Sequence, residues 1–173
     1  MFVLILIFLL VMFFFEFSRF SNGKIYNITQ NALNLLKIDI NKIIRPHEIN
    51  TLTGASYMAI AMFITLLFFP KFIFITAFSI LAISDSFAAL VGVKFRKIPF
   101  LNKTLEGCSA FFISAITIYY SITSIYGINY ISHYAIFLTC FITTLAESFA
   151  KKIQLDDNLL IPLVFCILTS IFY

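Results

Sequence analysis

Six apolar stretches divide this sequence, and they limit what the chain can fold into. A helix needs about 20 apolar residues to cross a hydrocarbon core of roughly 30 Å, and fewer where the bilayer thins around it. Hydrophobic residues make up 61% of the chain and charged residues 12%, which is unlike a soluble domain. We therefore predict one all-α, polytopic membrane helix bundle over residues 1–173. The predicted spans are 1–15, 53–69, 72–92, 107–125, 130–149 and 159–173.

The positions of the basic residues predict how the spans are oriented. With six spans, residues 16–52, 93–106 and 150–158 lie on one side of the membrane. These segments hold eleven of the twelve Lys and Arg residues, and Lys71 falls opposite. Because cytoplasmic loops collect Lys and Arg, we expect this side to be cytoplasmic and both termini to be external.

Charge and cysteine usage exclude several classes of function. The net charge is +4, but the basic residues are scattered between spans and form no stripe, so we expect no nucleic-acid partner. Anionic lipids and phosphorylated ligands fit scattered loop charges better. Cys108, Cys140 and Cys166 lie in apolar stretches without CxxC spacing or nearby histidines, which favours packing roles over a metal site.

The segment from residue 22 to residue 45 has apolar residues at intervals of mostly three and four, with polar residues between them. This pattern predicts an amphipathic helix on the cytoplasmic surface. It is either a plain linker or a lip through which a lipid substrate enters. His47 and Glu48 follow at the mouth of the second span, and His47 is either an interface cap or a catalyst.

Two acidic residues, Asp85 and Glu147, lie inside predicted spans near the cytoplasmic surface. A carboxylate inside a membrane costs about 2.5 to 3.5 kcal/mol on insertion scales, so it usually faces a partner or a wet cavity. Ala88, Ala89 and Gly92 share a helix face with Asp85. This small-residue strip indicates either close helix packing or a channel for ligand phosphates and Mg²⁺.

A basic loop follows Asp85 and ends at the start of the next span. Lysine supplies positive charge to phosphate, threonine a hydroxyl, and a helix N-terminus free amides. The same charges also suit an ordinary cytoplasmic loop, so both interpretations stay open. The residues concerned are Lys94, Arg96, Lys97, Lys103, Thr104, Glu106 and Gly107.

Three motifs of the chain, taken together, resemble the CTP-dependent lipid-alcohol kinases, which act on dolichol, other polyprenols, phytol or diacylglycerol. The first runs from Asp85 through Gly92 to the Lys103–Gly107 segment. The others are RPHEINTLTGASY at 45–57 and ESFAKKIQLDDNLLIP at 147–162. CDP-diacylglycerol synthases have a similar core. The chain departs from the kinase pattern at Arg96, where a glycine is usual, and at Cys108, where a serine is common.

The resemblance implies that the terminal phosphoryl group of CTP passes to the hydroxyl of a membrane lipid at the cytoplasmic leaflet, with Mg²⁺ bound. It implies that Asp85 and Asp157 act as metal ligands or base, with Lys103 as the third catalytic residue. Glu106 is the expected organiser. The implied phosphate and nucleotide contacts are Gly92, Lys94, Lys103, Thr104, Glu106, Gly107, Asp156 and Asn158, with His47, Glu48 and Glu147 as additional candidates.

Two other functions and one structural role stay open. A phosphatidate cytidylyltransferase would use the Lys103–Gly107 segment to make CDP-diacylglycerol. A proton-coupled transporter would use Asp85 and Glu147 as membrane acids. In the structural alternative, Glu147 pairs with Lys151 one helical turn away.

Overall fold

The computed structural model describes residues 2–21, 31, 44, 48, 51–101, 103–128, 131–150 and 152–173. Within these residues the chain forms six α-helices and one two-stranded β-hairpin, which confirms the predicted all-α class. The elements are α1 Phe2–Phe20, α2 Gly54–Phe68, α3 Lys71–Lys94, β1 Pro99–Phe100, β2 Lys103–Thr104, α4 Leu105–Ile125, α5 His133–Phe149 and α6 Asp157–Phe172.

A helix lies over each predicted span, but the first helix extends past the predicted boundary at residue 15. Residues 16 to 20 were expected in a loop and instead complete α1. The apolar character continues through Phe17 and Phe20, and the one carboxylate in this turn, that of Glu16, has buried partners. The interfacial helix predicted at 22–45 and the predicted residue His47 fall outside the described residues, apart from Asn31 and Ile44.

Three of the described helices are long and apolar enough to cross a membrane. They are α1, α3 and α4, with 19, 24 and 21 residues. At 1.5 Å per residue, α3 and α4 extend about 36 and 32 Å, which matches a hydrocarbon core of roughly 30 Å. The apolar helices α2 and α6 are shorter, with 15 and 16 residues.

The chain divides into two compact units, residues 1–63 and 64–173. The first unit depends on Glu16, which is buried near the end of α1. Its Oε1 atom accepts hydrogen bonds from the Thr53 N–H at 2.7 Å, the Thr53 hydroxyl at 2.8 Å and the Ser56 hydroxyl at 2.7 Å. Its Oε2 atom lies 2.9 Å from Arg19 Nη2. Glu16 therefore joins the end of α1 to the start of α2, where backbone N–H groups lack helical partners.

We expect Glu16→Ala to lower the free energy of unfolding of this unit by about 3–5 kcal/mol, because Arg19 would remain buried without its counter-charge. Thermal unfolding of the purified chain in detergent, followed by far-UV circular dichroism, measures this loss. Val11→Ala is the matched control, because Val11 is an exposed residue of the same helix. Equal melting temperatures for both variants would contradict the role of Glu16.

The second unit is a four-helix bundle closed on itself. Along the chain, α3 packs against α4, α4 against α5 and α5 against α6, and α6 returns to α3. Fully buried apolar and aromatic side chains fill the centre, including Ile73, Phe111, Ile161 and the ring pair of Tyr119 and Phe165, whose centroids are 5.2 Å apart. Each helix therefore has two neighbours and one outward face.

The outward faces of this bundle are apolar, whereas many hydroxyl groups are buried. On α3 the exposed residues Ile83, Phe87 and Leu90 follow helical spacing. Buried threonines and serines are found on all four helices, and many donate to the carbonyl one turn earlier, as Thr143 does to Thr139. Exposed apolar faces around buried, internally bonded hydroxyls are typical of helices packed in lipid.

The connections of the bundle place four helix ends together. The hairpin joins the end of α3 to the start of α4, and residues 150–156 join the end of α5 to the start of α6. Successive helices that pack side by side through short connections run in opposite directions. Both connections therefore lie at the same end of the bundle, which is where the predicted site residues meet.

Candidate functional site: one lysine among three carboxylates

The side chain of Lys103 meets three carboxylates at this end of the bundle. Its Nζ atom contacts Oε1 of Glu147 directly. It lies 3.6 Å from Oδ1 of Asp85 and 3.8 Å from Oδ2 of Asp157. One ammonium group thus connects the hairpin with α3, α5 and α6. Of the predicted catalytic residues, the structure brings together all three, and it adds Glu147 to them.

Each of these side chains is positioned by a different element. Asp85 lies nine residues, or about 13 Å, before the end of α3. Glu147 is two residues before the end of α5, and Asp157 is the first residue of α6. The end of α5 and the start of α6 lie close to Asp85, because Glu147 and Asp157 share the Lys103 ammonium with it. The hairpin, which pairs Phe100 with Lys103, provides the fourth side chain.

A positive backbone angle sets the turn of this hairpin. Leu101, which follows β1, has φ of 53°, a left-handed conformation that is uncommon for a residue with a side chain. Two-residue hairpin turns of the tightest type require such angles. The turn therefore sets the register that pairs Pro99 with Thr104 and Phe100 with Lys103.

Exposure differs sharply within the cluster. The side chain of Glu147 is 0% exposed, whereas those of Lys103, Asp157 and Asp85 are 24%, 31% and 36% exposed. The cluster therefore has a buried floor at Glu147 and an open rim at the two aspartates. Three carboxylates and one ammonium leave a net charge of −2, which favours the binding of a further cation at the rim.

Burial alone would lower the pKa of Lys103, but its hydrogen bond to Glu147 and the charges of Glu147, Asp85 and Asp157 raise this pKa above its usual value. Lys103 therefore stays protonated at neutral pH. Since the pKa is higher in the folded chain than in the unfolded one, the pairing contributes stability at neutral pH. That contribution disappears only in alkaline solution, as pH rises through the folded-state pKa.

Two glycines bring α3 and α4 into close contact next to the cluster. A Cβ atom on Gly107 would lie 2.9 Å from the Ala88 carbonyl oxygen and 3.4 Å from the Gly92 Cα atom. A Cβ atom on Gly92 would lie 3.1 Å from the Thr104 hydroxyl. Ala88 and Gly92 of the small-residue strip therefore serve close helix packing, one of the two predicted roles, whereas Ala89 is exposed.

Thr104 and Gly107 were expected to contact phosphate, and in the structure they bond to each other. The Thr104 hydroxyl caps α4 by accepting from the Gly107 N–H at 3.2 Å. Thr104 and Gly107 are also buried. Their structural role is to fix the junction between β2 and α4, so they hold Lys103 in place. Their contact with phosphate stays a prediction.

Glu106 and Lys94 lie outside the contacts of Lys103 that the structure describes. The Glu106 carboxylate accepts from the Ile98 N–H at 3.2 Å, and the Ile98 carbonyl accepts from the Leu105 N–H at 3.0 Å. Glu106 thus organises the basic loop rather than Lys103 itself. The Lys94 ammonium lies 5.4 Å from the centre of the Phe95 ring.

Asp156 and Asn158 form the start of α6. The Asp156 side chain is the N-cap and accepts from the Asn158 backbone at 2.9 Å and from the Asn158 amide group at 2.8 Å. This cap sets the first turn of the helix, in which Asp157 points toward Lys103. Asp156 and Asn158 therefore support the cluster from the adjacent positions, and nucleotide contact by either residue stays a prediction.

Sequence reasoning underestimated Glu147. One of its predicted roles was to pair with Lys151, which lies outside the described residues. Its contact in the structure is Lys103, 44 positions away. The neighbouring Ser148 hydroxyl lies 3.1 Å from the Cys108 thiol, so the unusual cysteine packs beside the floor of the cluster. The available signal was a second carboxylate in an apolar run, close to the same predicted surface as Asp85.

Glu48, another additional candidate, belongs to the first unit. Its buried carboxylate accepts from the Gly54 N–H at 2.8 Å. This contact satisfies a backbone donor at the start of α2.

The donor chemistry of the cluster fits Mg²⁺ delivered with a nucleotide. Magnesium commonly uses one or two protein carboxylates and completes its shell with water and substrate phosphates. The rim aspartates, Asp85 and Asp157, provide two such carboxylates. Among the described residues, no three His, Cys, Asp or Glu side chains form a group that could hold a metal without such help.

Comparison with known proteins gives relatives in a bacterium and an archaeon. The chain is 35% identical over 162 residues to the uncharacterized protein RP860 of Rickettsia prowazekii, covering 92% of this chain and 76% of that protein. The chain belongs to the same family as this rickettsial protein. It is also 37% identical over 114 residues to the uncharacterized protein MJ1137 of Methanocaldococcus jannaschii, covering 64% of this chain and 54% of the archaeal one.

No family model and no solved structure matches the chain. Both relatives carry names that state no activity, so the chemistry has to be argued from the cluster itself.

We expect Gly107→Ala to lower the free energy of unfolding by about 1–3 kcal/mol, because the added methyl group would overlap the Ala88 carbonyl and push α3 away from α4. Thermal unfolding in detergent measures the change. Ser109→Ala, at an exposed position on the same helix, is the matched control. A Gly107→Ala variant as stable as the control would show that the helices do not approach as closely as described.

Proposed function

We propose that the chain is a CTP-dependent lipid-alcohol kinase, which transfers the terminal phosphoryl group of CTP to the hydroxyl of a membrane lipid. The single observation that carries the proposal is the cluster at Lys103. It combines a protonated lysine with rim carboxylates suited to a divalent cation, at the edge of an apolar helix bundle. Phosphoryl transfer depends mainly on such positioning and charge neutralisation.

The proposed topology has all six helices in the membrane and both termini outside. The basic loop and the α5–α6 connection then face the cytoplasm, where the nucleotide arrives. Helices α2, α5 and α6 are shorter than a typical span, and local thinning of the bilayer accommodates short spans at modest cost.

In this function Lys103 binds and orients the terminal phosphates, because a protonated lysine is a compact positive charge with three donors. Glu147 holds the lysine from the buried side. Asp85 and Asp157 would hold Mg²⁺, and the ion would supply positive charge to the phosphates. The basic residues Lys94, Arg96 and Lys97 add positive potential at the same end of the bundle.

The reaction forms one bond and breaks one. The lipid hydroxyl oxygen bonds to the terminal phosphorus of CTP, while the bond from that phosphorus to the bridging oxygen breaks and CDP leaves. The hydroxyl proton passes to a rim carboxylate, Asp85 or Asp157. The lipid tail stays in hydrocarbon throughout, and only its hydroxyl has to reach the rim.

Labelled CTP separates the lipid kinase from the cytidylyltransferase alternative. The purified chain in nanodiscs would be given CTP labelled either at the γ-phosphate or at the α-phosphate, together with polyprenol, phytol, diacylglycerol or phosphatidate. The kinase places the γ-label on an alcohol. A cytidylyltransferase places the α-label on phosphatidate. Absence of both products across the panel would contradict the proposal and leave the proton-coupled transporter, which would use Asp85 and Glu147, as the next function to test.

We expect Asp85→Asn and Lys103→Met each to reduce kcat/KM for CTP by about 100-fold or more, because each removes a charge that stabilises the transferring phosphoryl group. Insertion into the membrane should be unchanged for Asp85→Asn, as measured by yield and elution in detergent. Lys103→Met also removes the counter-charge of the buried Glu147, so we expect a lower yield for this variant, and its activity is compared per folded molecule. Lys71→Ala is the control with normal activity, because Lys71 begins α3 at its other end. Near-normal turnover in both site variants would place the reaction elsewhere.

A further inference from the structure

The ammonium group of Lys103 lies where the oxygens of three helices converge. An oxygen atom from each of Asp85, Glu147 and Asp157 lies within 4 Å of the same nitrogen atom. A second cation placed among these carboxylates would therefore be repelled by the lysine ammonium. In the free protein Lys103 already supplies the positive charge that the cluster attracts.

The distances also show that the point between the carboxylates is occupied by the ammonium group and is not itself a position for a metal ion. Magnesium requires oxygen atoms at about 2.0–2.1 Å. The two rim oxygens lie 3.6 and 3.8 Å from Nζ, which is too far for an ion at that position to be ligated by both. In agreement, no complete metal-holding group is found among the residues that the structure describes.

The three carboxylates do not hold the lysine equally. Glu147 contacts Nζ directly and is fully buried, whereas the two aspartates are more distant and about one-third exposed. A ligand that approaches from the open rim can compete for Nζ with the aspartates without reaching Glu147. Triphosphate oxygens are stronger partners for an ammonium group than a carboxylate at 3.6 or 3.8 Å.

From this geometry we propose that Lys103 is a built-in counter-ion that makes divalent-cation binding depend on nucleotide. Without nucleotide, the ammonium offsets part of the negative charge of the cluster and weakens metal binding at Asp85 and Asp157. When a nucleoside triphosphate binds, its phosphates take over the outward contacts of the lysine and add oxygen ligands. The aspartates then bind the metal. The inference rests on the proposed function and adds the order in which the site is filled.

The coupling between metal binding and nucleotide binding can be measured as a change in either affinity. If nucleotide strengthens metal binding by some factor, the metal strengthens nucleotide binding by the same factor. Coupling between two sites commonly lies between about 5- and 150-fold. Removal of the lysine charge should raise the affinity for metal alone, and it should also reduce the coupling.

The test measures Mn²⁺ binding by electron paramagnetic resonance, with the full chain in nanodiscs of neutral lipid. Free Mn²⁺ is titrated without nucleotide and with a non-hydrolysable CTP analogue whose β and γ phosphorus atoms are joined by carbon. For the unaltered chain we expect the analogue to strengthen Mn²⁺ binding by about 10- to 100-fold, after correction for Mn²⁺ bound by the analogue itself. Equal affinity in both conditions would overturn the inference.

Variants then assign the effect to Lys103. We expect Lys103→Met to bind Mn²⁺ without nucleotide at least about tenfold more tightly than the unaltered chain, because like-charge repulsion at the rim is gone. Lys71→Met is the control, since it removes a lysine from the other end of α3, away from the cluster. If Lys103→Met binds Mn²⁺ no more tightly than this control, the inference is wrong. If this variant fails to fold, the comparison on the unaltered chain still decides the question.

The outcome can be separated from that of the proposed function, because Mn²⁺ binding needs no turnover. Coupled binding in a chain that phosphorylates no lipid would refute the kinase and leave the inference standing. Lipid phosphorylation by a chain that binds Mn²⁺ equally well with and without nucleotide would refute the inference alone.

Discussion

The contact between Lys103 and Glu147 is the interaction on which the site depends. Glu147 lies fully inside the bundle, where an unpaired carboxylate would cost several kcal/mol, so its pairing with lysine is required rather than incidental. The pairing of Lys103 with Glu147 holds the hairpin against the helix ends. It also places the lysine between Asp85 and Asp157, which lie at the rim. The need to pair the buried Glu147 thus brings Lys103 next to the two partly exposed aspartates.

Close packing on one side of the bundle makes this arrangement possible. Gly92 and Gly107 let α3 and α4 approach until a single added carbon atom would overlap. The Thr104 cap then sets where α4 begins, and Lys103 is the residue before it. The motif residues from Gly92 to Gly107 therefore act together. Gly92 and Gly107 allow the helices to approach, Thr104 caps α4, and Lys103 provides the charge. The same sequence pattern therefore packs the two helices and positions Lys103.

The helices could be predicted because each apolar run is long and is bounded by charges or turn residues, and the convergence of Asp85, Lys103 and Asp157 on one end followed from the alternating spans. The partners of the buried acids could not be predicted. Glu147 has a lysine one turn away in sequence, yet it contacts one 44 positions distant. Glu16, which was placed at a loop edge, accepts three hydrogen bonds from residues 37 to 40 positions away. Such contacts depend on helix packing, which local periodicity does not specify.

The most direct test of the account is a sided cross-linking measurement. Cysteines at positions 85 and 157, in a chain whose three native cysteines are alanine, would be treated with a short bifunctional maleimide in sealed vesicles of known orientation. The account predicts that both positions react from the cytoplasmic face only and that they become linked to each other. Labelling of the two positions from opposite faces, without a cross-link, would contradict it.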